Sequence, residues 1–264
     1  HNIFPYTTLF RSLEGYDVQS IQKGSSDAQQ VTLQFWIKLA VLGTYVVQLF
    51  DTDNSRHVVA NYTVSSTNWE KKIITFPADT TGAFDNDNNN SCHLVWHLIA
   101  GANFKSGTFS TSWATQTDAN RVSSSQVNIG DSTDNTWEIT GVSMEVGDFT
   151  NGTPFEHRSV GEELALCKRY YQSREGKQGN WGSSVAYSTS AAQQWLTFPE
   201  MRAAPTVTFT GTLRLEDGAS TYNTSSTSFN GSSTSTQSIS SWIGTFSGLT
   251  DQDAYYVYAT STTS

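Results

Sequence analysis

Residues 31–38 read Val-Thr-Leu-Gln-Phe-Trp-Ile-Lys. Val31, Leu33, Phe35 and Ile37 fall on one parity; Thr32, Gln34, Trp36 and Lys38 fall on the other. A period of two fits a pleated strand with one buried face, and it cannot line one side of a helix, whose period is 3.6. The pattern returns along the chain. Tyr45, Val47 and Leu49 point one way, with Val46 and Gln48 the other. After the polar hairpin loop Asp51-Thr52-Asp53-Asn54-Ser55, Val58, Ala60, Tyr62 and Val64 make a return strand. Trp69 to Phe76 is another strand, stopped by Pro77, and the Asp/Asn-rich run 79–91 is a long loop. Leu94, Trp96 and Leu98 share a face opposite His93, Val95 and His97. Residues 100–135 are polar, with weak strands near Phe109–Trp113 and Val127–Ile129. Trp137 and Ile139 share one parity while Val142, Met144 and Val146 share the other, which predicts a β-bulge near Thr140-Gly141. About eight short, closely connected strands predict an antiparallel β-sandwich over residues 13–158.

The totals narrow the function classes. A chain of 264 residues holds one large or two modest domains, and 36% hydrophobic residues can bury a core. Only 15% of residues are charged and the net charge is −9. A nucleic-acid partner needs a basic face to neutralise phosphates, and an anionic membrane surface needs the same. No stretch reaches the 18 or so apolar residues of a membrane-spanning helix, and the start shows no signal-peptide pattern. Cys92 and Cys167 are expected as two buried thiols, with a disulfide left open. Residues 4–12, Phe-Pro-Tyr-Thr-Thr-Leu-Phe-Arg-Ser, look like a translated sequencing-library adapter from environmental DNA. Residues 1–12 are therefore expected to be disordered or loosely packed, with the native protein beginning upstream.

The one well-signalled helix starts at Ser159-x-x-Glu162, a capping box. Val160, Leu164, Cys167 and Tyr171 line one face at helical spacing, which predicts a helix over 160–172 that covers a sandwich end or packs between domains. Helix and linker together occupy 159–180. Residues 181–264 return to strand character at 185–187, 194–198, 206–215, 238–246 and 255–259, a smaller C-terminal β domain. The Ser/Thr/Asn-rich run 216–237 reads as a long exposed loop or hairpin, either a recognition loop or a solvated spacer.

Two segments are distinctive: Thr153-Pro154-Phe155-Glu156 and Glu163-Leu-Ala-Leu-Cys-Lys-Arg-Tyr-Tyr-Gln172. With Leu33–Lys38, Gly43-Thr44-Tyr45, Trp69–Pro77 and Ile139–Gly147 they cover most of the chain from about residue 30. The set resembles tail-fibre and receptor-binding proteins of tailed bacteriophages, in which such a seam joins a jelly-roll sandwich to a C-terminal β domain. The first domain also resembles carbohydrate-binding modules of the galactose-binding-like sandwich class. The resemblance implies an all-β, jelly-roll (galactose-binding-like) sandwich, then a short helix and a second smaller β domain. It also implies a non-catalytic virion tail appendage, often homotrimeric, that binds host cell-surface glycan. The chain departs from that pattern at its end, Ala259-Thr-Ser-Thr-Thr-Ser264, where the family often carries acidic residues. Two other readings stay open: a carbohydrate-binding module of a secreted glycoside-active enzyme, which would be extracellular, and a virion structural protein with no ligand.

Sugar recognition by β-sandwiches uses aromatic faces for stacking and polar side chains for hydrogen bonds. Trp36, on the polar face of its strand between Gln34 and Lys38, is the leading platform, with the alternative that a loop or neighbour covers it. Trp113 and Trp181, in polar sequence, are further candidates, whereas Trp96 and Trp137 belong with core neighbours. Asp51 with Asp53, and Asp85 with Asp87, are weak calcium candidates, because neither pair has full calcium-loop spacing and solvated turns explain them better. His93 and His97 share a strand face but lie about 13 Å apart, too far to share one zinc. Glu138, Glu145, Asp148 and Glu156 cluster in sequence, but at a strand end and seam where carboxylates make caps and surface pairs, so no catalytic residue is assigned.

Overall fold

The computed structural model describes the backbone of residues 8–173, 180–206, 212–229, 236 and 238–260. The chain is all-β apart from short helical turns and one nine-residue helix, and its strand ladders are antiparallel. It divides into two compact units, His1–Glu156 and His157–Ser264.

In the first unit the alternating segments become β1 Thr8–Glu14, β2 Val31–Leu39, β3 Gly43–Asp51, β4 Arg56–Val64, β5 Glu70–Phe76, β6 Asn90–His97, β7 Ala114–Thr115 and β8 Trp137–Val146. They form a five-stranded sheet, β1-β6-β3-β4-β7, and a three-stranded sheet, β5-β2-β8. The inward parity of each strand makes the core between them. Leu33, Phe35 and Ile37 of β2 pack with Tyr45, Val47 and Leu49 of β3, and with Tyr62 and Trp96. Phe35 meets Tyr62 and Trp96 edge-on, with ring centroids 5.3 and 5.7 Å away. Each such buried side chain contributes roughly 1.5–3 kcal/mol. The expected bulge is present: pairing of β2 with β8 shifts register between Gln34 and Trp36, and Gly141 opposite has φ +58.

Several expectations change here. Residues 8–12 are paired backbone, not loose chain, since β1 runs antiparallel to β6 from Thr8↔His97 to Glu14↔Asn90. Residues 8–14 contain neither Pro nor Gly and can add to a free sheet edge, where β6 offers a row of open N–H and C=O groups. The polar parity of the five-stranded sheet is also buried. Val46, Gln48, His57, Val59 and His97 lie under residues 99–131, with Val122, Phe104 and Phe109 packed on Val46 and Val59. That segment is therefore a third layer. In it, the strand expected near 109–113 is displaced to the two-residue β7, and 127–129 leads into a 3-10 turn.

The second unit holds α2, Val160–Lys168, after a single-turn α1 at Gly15–Val18 in the first unit. Ser159 Oγ accepts from Glu162 N, and the Glu162 carboxylate accepts from Ser159 N, so the capping box forms. The helix ends at Lys168, four residues earlier than expected, because Tyr170 N already closes a tighter turn onto Cys167 O. Its apolar residues Val160, Leu164 and Leu166 are exposed. Cys167 is exposed as well, not buried, while Cys92 is buried, and both are free thiols. The strands are β9 Asn180–Ser188, β10 Ala191–Thr197, β11 Thr212–Glu216, β12 Thr221–Asn223, β13 Ser226–Phe229, β14 Ser238–Thr245 and β15 Ala254–Thr260. They form one sheet, β12-β11-β15-β9-β10-β14-β13, around Ala186, Leu213, Leu215, Phe246, Tyr255 and Val257. The run 216–237, expected as a loop or hairpin, contains β12 and β13; residues 230–235 and 237 lie outside the described residues.

Candidate functional site

The outer face of the three-stranded sheet carries the strongest sequence candidate. Cross-strand register places Lys71 and Thr140 on either side of Trp36, and Glu138 beside Lys38. Trp36 is 43% exposed, so nothing within the chain covers its indole fully. Trp69 is 42% exposed and stands immediately before β5, where a continuation of the strand's parity from Lys71 would set it on this same face. Diagonal neighbours on one sheet face sit about 7–8 Å apart, within reach of two large rings. The face thus presents the Trp36 indole between the exposed Lys71 and Thr140, next to the Lys38–Glu138 pair at 2.8 Å, with the exposed Trp69 at the entry to β5.

Trp69 was not among the sequence candidates. The available signal was its parity with Lys71, but only the pairing of β5 with β2 sets the entry to β5 beside the strand of Trp36.

Gln34, expected as a sugar ligand, is not available for that role. It is 3% exposed and fully occupied by the loop after β8. Gln34 Nε2 donates to Thr153 O at 2.8 Å, and Thr153 N donates to Gln34 Oε1 at 3.0 Å. Phe149 N donates to Thr32 Oγ1 at 3.0 Å, which fastens the same loop to the next outward residue of β2. Gly152, φ +69, permits this approach: a Cβ there would lie 2.3 Å from Gln34 Oε1. The loop thus closes half of the face and leaves the Trp36 half open.

The carboxylates near this face are engaged in structural bonds. Glu138 pairs with Lys38; Glu145 accepts from Ser143 Oγ and Thr153 Oγ1; Asp148 accepts from Thr75 Oγ1.

Trp113 lies elsewhere and is half-buried. Its Nε1 donates to Pro77 O at 2.8 Å, and its ring faces the Lys23 ammonium at 5.1 Å, so it is a wall and not a platform. Trp181 sits in β9, with its side chain outside the described residues.

The aspartates proposed for calcium are used by the fold. Asp51 is fully buried and bonds Lys23 Nζ at 2.6 Å. Lys23 Nζ also donates to Thr81 O and Gly82 O, approaches Asp79 at 3.2 Å, and lies 5.3 Å from the Phe84 ring centroid. An ammonium thus fills the place where the Asp51 carboxylate would face a cation. Asp53 Oδ2 accepts from Asp85 N, and Asp87 Oδ1 accepts from Asn89 N, both loop-capping bonds. Among the described residues no group of three or more His, Cys, Asp or Glu side chains converges. The cavity lined by Ile21, Lys23, Phe76, Phe84 and Trp113 measures about 10 Å³, room for one water and not for a sugar.

Burial pushes Asp79 up, but hydrogen bonds from Arg56 and Lys23 outweigh it and hold the carboxyl below its usual range. Among the described residues no helix is long and apolar enough to cross a membrane.

No protein-family model, curated protein or solved structure matches this chain.

Proposed function

We propose that this chain is a non-catalytic, glycan-recognising protein of the phage tail-fibre or receptor-binding kind. On this reading its first unit is a jelly-roll sandwich of carbohydrate-binding-module type, and the protein acts as a homotrimer at the virion tail against host-surface polysaccharide. The observation that carries the reading is the exposed Trp36 on the outer face of the three-stranded sheet, with the exposed Trp69 at the entry to the neighbouring strand. Large exposed aromatics on a rigid sheet are costly to leave in water, and they suit stacking against the apolar faces of sugar rings. Lys71, Thr140 and the Lys38–Glu138 pair frame Trp36 with hydrogen-bonding groups. A site of this shape binds without a nucleophile or a pair of opposed carboxylates, and the nearby carboxylates hold loops and strands instead.

The test is glycan-array and host-cell binding by the whole chain beside Trp36→Ala and Trp69→Ala, with folding checked by circular dichroism. The expected result is a loss of roughly two- to tenfold or more for Trp36→Ala, since one aromatic stacking contact is worth roughly 0.5–1.5 kcal/mol beyond its buried area, and a loss in the same direction for Trp69→Ala. Binding retained in both variants moves the site off this face. No binding by any of the three proteins favours a structural virion protein without ligand. A monomer in analytical ultracentrifugation counts against the fibre assignment and leaves the secreted carbohydrate-binding module as the better account.

A further inference from the structure

Three polar residues stand side by side on the covered face of the five-stranded sheet: His57 on β4, Gln48 on β3 and His97 on β6. Their exposures are 0%, 0% and 3%. Gln48 Nε2 meets His57 Nδ1 at 2.9 Å, and Gln48 Oε1 meets His97 Nε2 at 2.9 Å. A primary amide has one donor end and one acceptor end. The amide therefore donates to a bare Nδ1 of His57 and accepts from a protonated Nε2 of His97. With Nδ1 bare, neutral His57 carries its hydrogen on Nε2, and that buried atom has no hydrogen-bond partner among the described residues.

Proton counting shows what acid does here. One extra proton on His57 turns Nδ1 into a donor and forces the amide to rotate. His97 Nε2 must then accept, with its own hydrogen moved to Nδ1. A second extra proton cannot be accommodated, because two ring donors compete for the single Oε1 between them. Burial pushes His57 down to about 4 and His97 down to about 3, with repulsion from Arg121 adding to both.

Bonds from the layer above to this sheet include Gln126 Nε2 to His97 O at 2.7 Å, Val59 N to Ser110 O at 2.9 Å and Gln116 N to Ser55 O at 2.8 Å. Trp113 and residues 127–129 are anchored separately, because Trp113, Val127 and Ile129 pack into the core between the two sheets. Among the described residues the layer's charges form no ion pair with either ring, and Asp131 accepts instead from Asn135 Nδ2 at 2.6 Å. Lys105 is cationic and donates to Gln126 O. Arg121 is cationic, and Asp118 is paired to it at 3.3 Å. On the sheet, His93 lies against Phe50, Arg56 pairs with Asp79, and β7 meets His57 through Ala114.

We propose that residues 100–112 and 114–126, on either side of the Trp113 anchor, are an acid-released cover, which detaches from the outer face of this sheet when His57 and His97 take up protons, while the two-sheet core stays folded. The direction follows from linkage. Both rings bind protons more weakly when covered than when open, where a histidine titrates near 6.5. Closure is at full strength above that pH and weakens as pH falls toward about 4.

Hydrogen–deuterium exchange on the whole chain tests it, with protection corrected for intrinsic exchange, between about pH 7 and about pH 4.5. Two such sites raise the opening constant by roughly 10³-fold over that range, and one site by roughly 10²-fold or less. Amides of 100–112 and 114–126 are expected to lose protection by that factor while those of 31–39 keep theirs. His57→Gln is expected to cut the response to the single-site value; if that variant does not fold, His97→Gln makes the same comparison. Unchanged protection of 100–112 and 114–126 down to pH 4.5 overturns the proposal. So does loss in step with 31–39, which marks global acid unfolding, or an undiminished response in the glutamine variant.

Discussion

Replacing Lys23 by Met is the sharpest test of how the first unit is held together. The Lys23 side chain is 1% exposed, and its Nζ lies 2.6 Å from Asp51 and 3.2 Å from Asp79. Methionine keeps the chain volume but removes the ammonium, so the fully buried Asp51 faces the apolar walls of Phe84 and Trp113 without its cation. Removing one partner of a buried pair costs about 3–5 kcal/mol, because the remaining charge is uncompensated. Asp79 is partly protected by Arg56 at 2.8 Å, and Asp51 keeps its bonds from Asn54, which favours the lower half of that range. Urea unfolding with a slope of roughly 1–3 kcal/mol per molar then shifts the first-unit midpoint down by about 1–3 M. The pH dependence adds a second check. The Asp79 carboxyl is held below its usual range, so its stabilising share is present above about pH 4 and is lost as pH falls through the lowered value. The gap between wild type and Lys23→Met is expected to narrow on acidification. A loss under about 1 kcal/mol at neutral pH, or a gap that widens in acid, refutes the reasoning.

Two further outcomes follow from local geometry. Gly152→Ala places a Cβ 2.3 Å from Gln34 Oε1 at a φ of +69. The conformational penalty of about 1–2 kcal/mol and the disrupted Gln34–Thr153 bonds, about 0.5–1.5 kcal/mol each, should lower the thermal midpoint of the first unit. An unshifted midpoint would show that the loop over β2 is not seated as described. Ser159→Ala removes the acceptor for Glu162 N and is expected to fray the first turn of α2. That fraying would appear as faster amide exchange at 160–163 with the β core unaffected, and unchanged exchange there would show that the cap does not hold the turn.

Features whose cause lies within a few residues were legible in the sequence. The Ser159–Glu162 box is a contact across one turn, and it forms as read. The bulge at Gly141 followed from a parity switch inside a single strand, since side chains alternate with a period of two and an odd insertion inverts them. Trp36 was read as outward from its own strand's pattern, and it is exposed.

Features whose cause lies far along the chain were not legible. Gln34 shares Trp36's parity, but Thr153, 119 residues later, caps it. Gln48, His57 and His97 have the outward parity of a solvated face, and residues 99–131 bury them. Asp51 looked like a turn carboxylate until Lys23, 28 residues earlier, came to meet it. The entry to β5, with Trp69, came beside the strand of Trp36 only through strand pairing. The sequence by itself determined that strands form, where they bend, and which side of each faces the core, because apolar burial acts on alternate residues of one strand. Only the tertiary structure decided which of the remaining polar sides meet water and which are sealed, because that depends on loops and strands brought together from distant positions.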